Sequence, residues 1–175
     1  MSPEQYVLIR PVGDDELPAC ADVLRRAFRT QADEFGLTVE NCPTNAAFVT
    51  TERLQRDRDR GQRQFGAFID GEQVGYFALW SADGSVWELE KVSVVPERRR
   101  AGIGEALLNR AADEAVALGG TSLHIGIIEE STTLKAWYAR HGFAHLGTKV
   151  FANLPFTVGY LELPLRDGQD AELDR

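Results

Sequence analysis

The sequence predicts a mixed α/β domain, a largely antiparallel sheet with helices on its faces. Three observations carry that prediction. Segments with the two-residue period of strands and segments with helical period follow in the order β-α-α-β-β-β-α-β-α-β-β. Asp70-Gly71 joins two apolar runs as a hairpin and Gly84 turns the chain into a third, so these consecutive strands pair antiparallel. The strand-helix-strand unit around Gly102–Leu118 instead allows a parallel pair with a right-handed crossover.

In chain order, Tyr6–Pro11 is a short strand closed by proline. After the turn at Gly13-Asp14-Asp15, Leu17, Cys20, Ala21, Leu24, Ala27 and Phe28 share one helical face, and that helix fades near Asp33. Phe35–Pro43 holds two breakers and no periodicity, which reads as a loop. Ala46 to Arg60 is helical, with Phe48 and Leu54 inward and Gly61 as its stop. Gln64–Ile69, Gln73–Trp80 and Val86–Val95 are the three meandering strands. Gly102–Leu118 is the clearest helix, with Ile103, Leu107, Ala111, Ala115 and Leu118 inward, and Gly119-Gly120 ends it. Ser122–Ile128 is a buried strand by its branched residues, and Ser131 is a natural N-cap for a helix through Arg140. His145–Phe151 and Phe156–Leu163 complete the sheet, and the polar stretch 166–175 is expected to fray.

The 175 residues fit a single domain, 1–175, with its core over 6–163. A net charge of −8, from 19 basic and 27 acidic residues, disfavours binding to nucleic-acid phosphates and is compatible with a cationic small molecule, while a solubility role explains it equally well. No apolar run approaches the ~20 residues of a membrane span. The N-terminus lacks a signal-peptide pattern, and Cys20 and Cys42 form neither a disulfide framework nor a metal motif, so a reducing cytoplasm is expected. His124, His141 and His145 lack metal-ligand spacing, so no metal is expected. His141 sits where a ring can serve the C-terminus of its helix, and His124 reads as a structural histidine within an apolar strand.

One stretch stands apart from this acidic background. Val92-Ser-Val-Val-Pro-Glu-Arg-Arg-Arg-Ala-Gly-Ile-Gly-Glu105 runs from a strand end, through three arginines, into a helix opened by Gly102 and Gly104. Glycines let backbone N–H groups approach a ligand, and the helix dipole favours an anion there. The arginine run has a second reading, as a solvated face. A dinucleotide fingerprint needs a third glycine where Leu107 stands, and the P-loop needs an absent Gly-Lys-Ser/Thr, so both nucleotide readings fail.

The pattern Val-x-Pro-x-x-Arg-x-x-Gly-x-Gly, Val94 to Gly104, resembles the acetyl-CoA loop of the GNAT N-acetyltransferase superfamily. Tyr138-Ala-Arg-His-Gly-Phe143 is similar to that family's Tyr-x-x-x-Gly-Phe helix end, one helix and one strand later. The element order matches over 6–163. The resemblance implies six to seven mostly antiparallel strands with about four helices, splayed between the fourth and fifth strands. It implies acetyl-CoA as cosubstrate, with the pantetheine arm along Val92, Ser93 and Val94. It places the pyrophosphate on backbone amides of Arg99, Arg100, Ala101, Gly102, Ile103, Gly104 and Glu105, with a ribose phosphate in reach of the Arg98–Arg100 side chains.

Acetyl transfer to an amine requires a deprotonated amine, a polarised carbonyl and a stabilised thiolate. A thiol with a pKa of about 8.5 and a tyrosine of about 10 are matched for the last step. Tyr138 matches the family tyrosine beside the coenzyme sulfur, against the alternative of a tyrosine packed on a helix face. A backbone N–H near Val94 would hold the developing oxyanion. Glu88 and Glu90 lie two apart on one strand and share a face, so either is a candidate base or a site for a cationic substrate. Glu88 stands eleven residues before Arg99, where some members of the family carry a base glutamate, and that resemblance favours it. The alternative is a pair of surface carboxylates bridged to Lys91 or an arginine. Ser131 stands where many members carry an asparagine that bonds pantetheine, though an N-cap role also accounts for it. Glu129 and Glu130 read as solvated acids. Phe28–Asn45 and Phe151–Thr157 match the acceptor-binding segments of the family, and Phe35, Leu37, Phe48, Trp80, Trp87, Trp137 and Phe156 are apolar candidates to line that pocket or the core.

The leading function is acetyl transfer to a primary amine, of a small cationic molecule, by direct attack in a ternary complex. The alternative from another class is a non-catalytic acyl-CoA sensor module. The resemblance also admits a homodimer.

Overall fold

The computed structural model describes residues 5–165, so the polar segment 166–175 lies outside the described residues. Seven strands form the sheet: β1 (Leu8–Pro11), β2 (Arg63–Ile69), β3 (Glu72–Trp80), β4 (Val86–Val94), β5 (Ser122–Ile128), β6 (Ala144–Val150) and β7 (Thr157–Pro164). Their hydrogen-bonded order is β1-β2-β3-β4-β5-β7-β6. Four helices accompany them: α1 (Leu17–Phe35), α2 (Thr51–Asp59), α3 (Ile103–Ala117) and α4 (Thr132–Arg140). β1 pairs antiparallel with β2, and β7 antiparallel with both β5 and β6, whereas β4 and β5 run parallel. The mixed sheet expected from the sequence is the one observed.

The chain packs as two compact units, residues 5–78 with 91–110 and residues 79–90 with 111–165. In the first, Leu17, Cys20, Leu24 and Ala27 of α1 are buried, as the helical spacing predicts. The helix outlasts its expected end at Asp33 and stops at Gly36, where a left-handed φ of 63° lets the N–H groups of Gly36 and Leu37 both reach the Ala32 carbonyl. The single helix expected over 46–60 is broken. Ala46–Phe48 forms one 3₁₀ turn, Val49 is extended, and α2 starts afresh. Two caps account for two starts: the Asn45 side chain accepts from Ala47 N–H, and Thr50 Oγ1 accepts from Arg53 N–H. Leu54 is fully buried, whereas Phe48 is left half-buried. Asp70 and Gly71 have φ of 50° and 82°, the doubly left-handed pair of a type I′ turn between β2 and β3. Behind that hairpin Phe65 and Phe77 stack with ring centroids 4.7 Å apart.

In the second unit β5 pairs with β7 along its whole length, from Ser122 opposite Pro164 to Ile128 opposite Val158. Leu123, Ile125, Ile127, Leu161, Tyr138 and Phe143 fill this core. Trp87 is buried with its indole N–H donating to the Gly84 carbonyl, so it belongs to the core rather than to a pocket wall. β6 is mostly exposed and carries a bulge between His145 and Gly147.

Ahead of α1, both terminal nitrogens of Arg10 donate to the Glu16 carboxylate at 2.8 Å, and Gly13 N–H adds a third bond at 3.0 Å. The guanidinium bond, then the amide bond, hold the Glu16 pKa down at about 2 against an ordinary 4.5. A carboxyl depressed in the folded state contributes stability that is present above pH 4.5 and is lost as pH falls towards 2. Arg10 is 39% exposed, which screens the pair, so Glu16→Gln should cost about 1–2 kcal/mol at pH 7. Urea unfolding of both proteins should show that difference shrinking between pH 4.5 and 2; a gap independent of pH would contradict this role.

Candidate active site

The β4–β5 ladder holds three register pairs: Val86 with Ser122, Trp87 with Leu123 and Glu88 with His124. β4 continues to Val94 and β5 to Ile128, yet among the described residues Leu89–Val94 pair with nothing on β5. Along β4, buried Trp87 and Leu89 alternate with half-buried Val86, Glu88 and Glu90. The alternation breaks at Lys91, whose φ of +53° is left-handed. A non-glycine residue held there carries a backbone cost of order 1–3 kcal/mol. Lys91 Nζ stands 3.8 Å from an Asp57 carboxylate oxygen. Beyond it Val92 and Val94 are half-buried, and Ser93 is buried with a hydroxyl that finds no partner.

After β4, Pro96–Arg98 makes one 3₁₀ turn, Arg99 is extended, and Arg100 and Gly102 are both left-handed at φ of 64° and 81°. Gly102 suits that conformation, having no Cβ, and a Cβ placed there would meet nothing within 4 Å. The first helical bond of α3 runs from Ala106 N–H to the Gly102 carbonyl. The amides of Ile103, Gly104 and Glu105 are therefore first-turn donors without a helical partner, at the positive end of the dipole. The N–H groups of Arg100, Ala101 and Gly102 likewise meet no acceptor among the described residues.

The three arginines divide sharply. Arg99 donates to the carbonyls of Ala27 at 2.7 Å and Val94 at 3.2 Å and to Thr30 Oγ1 at 3.1 Å, which ties the loop to α1. Its own N–H donates to the Pro96 carbonyl. Arg98 donates to the Gln5 side chain, and Arg26 pairs with Glu97. Arg100 is exposed and makes no side-chain bond to a described residue. Of the three, Arg100 alone presents an unengaged guanidinium.

In the second unit Tyr138 is 3% exposed on α4, and burial holds its hydroxyl pKa well above the ordinary 10. Its ring meets Phe143 edge-on at 5.2 Å and Trp137 at 4.9 Å. Gly142, at φ of 91°, makes that contact possible by turning the chain so that Phe143 N–H returns to the Tyr138 carbonyl. Glu88 is half-buried, and desolvation raises its pKa, opposed by nearby His124 and reinforced by Glu90.

These features can be set beside known proteins. The model of the acetyltransferase (GNAT) family matches residues 23–143, more than half of the chain. The chain belongs to this family. An uncharacterised N-acetyltransferase of Mycobacterium tuberculosis is 29% identical over 82 residues, 47% of this chain and 53% of that protein. The chain thus spans about half the length of the curated relatives it matches. The PaiA N-acetyltransferase of Thermoplasma acidophilum, solved in complex with coenzyme A, aligns with a TM-score of 0.75 at 18% identity over 91% of this chain and 99% of its own. The ribosomal-protein-S18-alanine N-acetyltransferase of Escherichia coli aligns with a TM-score of 0.72 at 16% identity over 91% and 94%. At these identities the likeness is one of fold.

Within the GNAT chain three local readings change. Ser131 does occupy the N-cap position of α4, but its hydroxyl makes no capping bond. Its ψ of 81° departs from the 158° with which Thr50 aims its own oxygen at α2. Glu129 is more than a solvated acid: it accepts from Lys135 Nζ at 2.6 Å and faces His145 Nε2 at 2.9 Å. Glu130 accepts from Thr157 N–H at 3.0 Å and so fastens the start of β7. His141, as its position implies, serves its own helix end, with Nδ1 2.8 Å from the Trp137 carbonyl.

Among the described residues no group of three or more His, Cys, Asp or Glu could hold a metal ion, and no helix is long and apolar enough to cross a membrane. A surface hollow lined by Tyr6, Leu8, Arg10, Phe68, Asp70 and Gly71 contains none of the site residues, and Arg10 there is already paired with Glu16.

The division among the arginines is testable by stability alone. Arg99→Ala removes three hydrogen bonds and should cost about 1–3 kcal/mol in urea unfolding, whereas Arg100→Ala should stay within about 0.5 kcal/mol. Equal effects would show that Arg99 is not the anchor.

Proposed function

We propose that this protein transfers the acetyl group of acetyl-CoA to a primary amine of a small cationic acceptor, by direct attack in a ternary complex. Family membership supports acetyl transfer, and the loop over Arg100–Glu105 is the observation that carries the coenzyme assignment. Among the described residues its amides meet no acceptor and its arginine no partner, and it opens a helix, which together fit a pyrophosphate. The free edge of β4 at Val92–Val94 fits an amide-bearing pantetheine arm, which pairs with strand backbone as another strand would. The Ser131 hydroxyl makes no capping bond, which leaves it able to bond a ligand.

Acetyl-CoA supplies an activated acyl group; the protein's residues supply proton control and orientation. Tyr138 is held in the protonated, neutral form by burial, which is the form a general acid for a departing thiolate requires. Glu88 is the favoured base, because desolvation raises its affinity for a proton and so brings it nearer to that of an amine. Glu90, half-buried on the same face, is the second carboxylate there and helps to hold a cationic acceptor. The net charge of −8 supports such an acceptor over an acidic one. We place the reaction in the cytoplasm, in keeping with two buried free cysteines.

Thiol release from acetyl-CoA should be followed over a panel of polyamines, amino acids, aminoglycosides and peptide N-termini. Turnover with a cationic member is the expected result, and tight coenzyme binding with no turnover on any amine would indicate an acyl-CoA-binding module instead. With the active amine, Tyr138→Phe should lower kcat by about tenfold or more with little change in coenzyme affinity. Unaltered turnover would remove Tyr138 from the acid role.

A further inference from the structure

Glu88 is not an isolated carboxylate. It is the last residue of β4 in register with β5, and its partner there is His124. His124 is in turn the register partner of Glu162 on β7. Neighbouring strands lie about 4.8 Å apart, and residues in register project to the same face of a sheet. The three side chains therefore form a row across three strands, carboxyl, imidazole, carboxyl. The row is closed on one side by contact: His124 Nε2 lies 3.2 Å from a Glu162 carboxylate oxygen. All three are half-buried, the side chains of His124 and Glu162 at 28% and 33% exposure. The charged neighbours of Glu88 are Glu90 on its own strand and His124 on β5, and those of His124 are Glu88 and Glu162.

We infer that Glu88, His124 and Glu162 form a proton relay, in which His124 carries the proton of the acceptor amine from Glu88 to Glu162 and so to solvent. This rests on the reading of Glu88 as base. An alkylammonium loses its proton near pH 10, so each turnover delivers one proton to the base. That proton must leave before the next acceptor is deprotonated, and the row of side chains offers it a path across the sheet. Imidazole is the side chain that takes and gives protons near neutral pH, and it does so through two different nitrogens. Nε2 faces Glu162, so exchange with Glu88 uses Nδ1. The sequence is balanced: the Glu88 carboxylate takes a proton from the ammonium, His124 takes it from Glu88, and the Nε2 proton passes to Glu162 and then to water. His124 touches no substrate in this scheme and is a relay residue. It also gives a reason for a histidine where the flanking residues Leu123 and Ile125 are buried and apolar.

The test uses two conservative variants and two readouts. His124→Gln keeps an amide able to bond Glu162 but cannot carry a proton, and Glu162→Gln keeps a partner for His124 but cannot receive one. Both should retain wild-type thermal stability and acetyl-CoA affinity, with kcat for the active amine lowered about tenfold or more for His124→Gln and less for Glu162→Gln. In the free protein, the ring nitrogen resonances of His124 should register ionisation of both carboxylates and lose one inflection in each of Glu88→Gln and Glu162→Gln. Wild-type kcat across the pH range in His124→Gln, or ring resonances blind to Glu88, would overturn the relay while leaving acetyl transfer standing. If instead the wild-type protein acetylates no amine, the proposed function itself fails and the relay with it.

Discussion

The candidate site depends on one interruption: the β4–β5 ladder stops after Glu88 and His124. Had it continued, the outer backbone groups of β4 beyond Glu88 would be paired within the sheet and could recognise nothing else. Three residues past the last pair, Lys91 is held at a φ that non-glycine residues seldom adopt. Such a conformation persists only where surrounding structure over-determines it. Here the strand on either side is anchored by buried Leu89 and Ser93, the amide of Val95 bonds to the Val74 carbonyl, and the lysine head approaches Asp57. The exposed backbone edge is a strained feature maintained by its neighbours.

A second constraint is the use of positive charge. The chain carries eight more acids than bases, yet places three consecutive arginines before α3. Two of these hold the loop in shape, and a third faces outward beside amides that have no acceptor. Tethering and unengaged charge are thus separated residue by residue within an acidic protein.

Much of this was legible in the sequence, and the failures are local. The Asp70-Gly71 hairpin, the limits of β5 and the inner stripe of α3 follow from turn chemistry and periodicity, which depend on residues close in the chain. The break at Val49 was also readable in principle, since Asn45 and Thr50 are both cap residues, but apolar spacing across 46–60 masked it. The left-handed Lys91 had no signal, because lysine carries no preference for that conformation. The Arg99 tether and the Glu129 contacts with Lys135 and His145 bridge elements far apart in sequence, and their side chains suit solvent equally well. The row from Glu88 through His124 to Glu162 was hidden for a similar reason. The two glutamates of β4 could be assigned to one face, but the parallel register that sets His124 beside Glu88 is not encoded by any local pattern.

The most direct measurement is amide hydrogen exchange with and without acetyl-CoA. Slower exchange confined chiefly to Val92–Val94 and Arg100–Glu105 is the result this account predicts, because the coenzyme would supply acceptors to loop amides that have none among the described residues. Protection elsewhere with these two segments unchanged would contradict it.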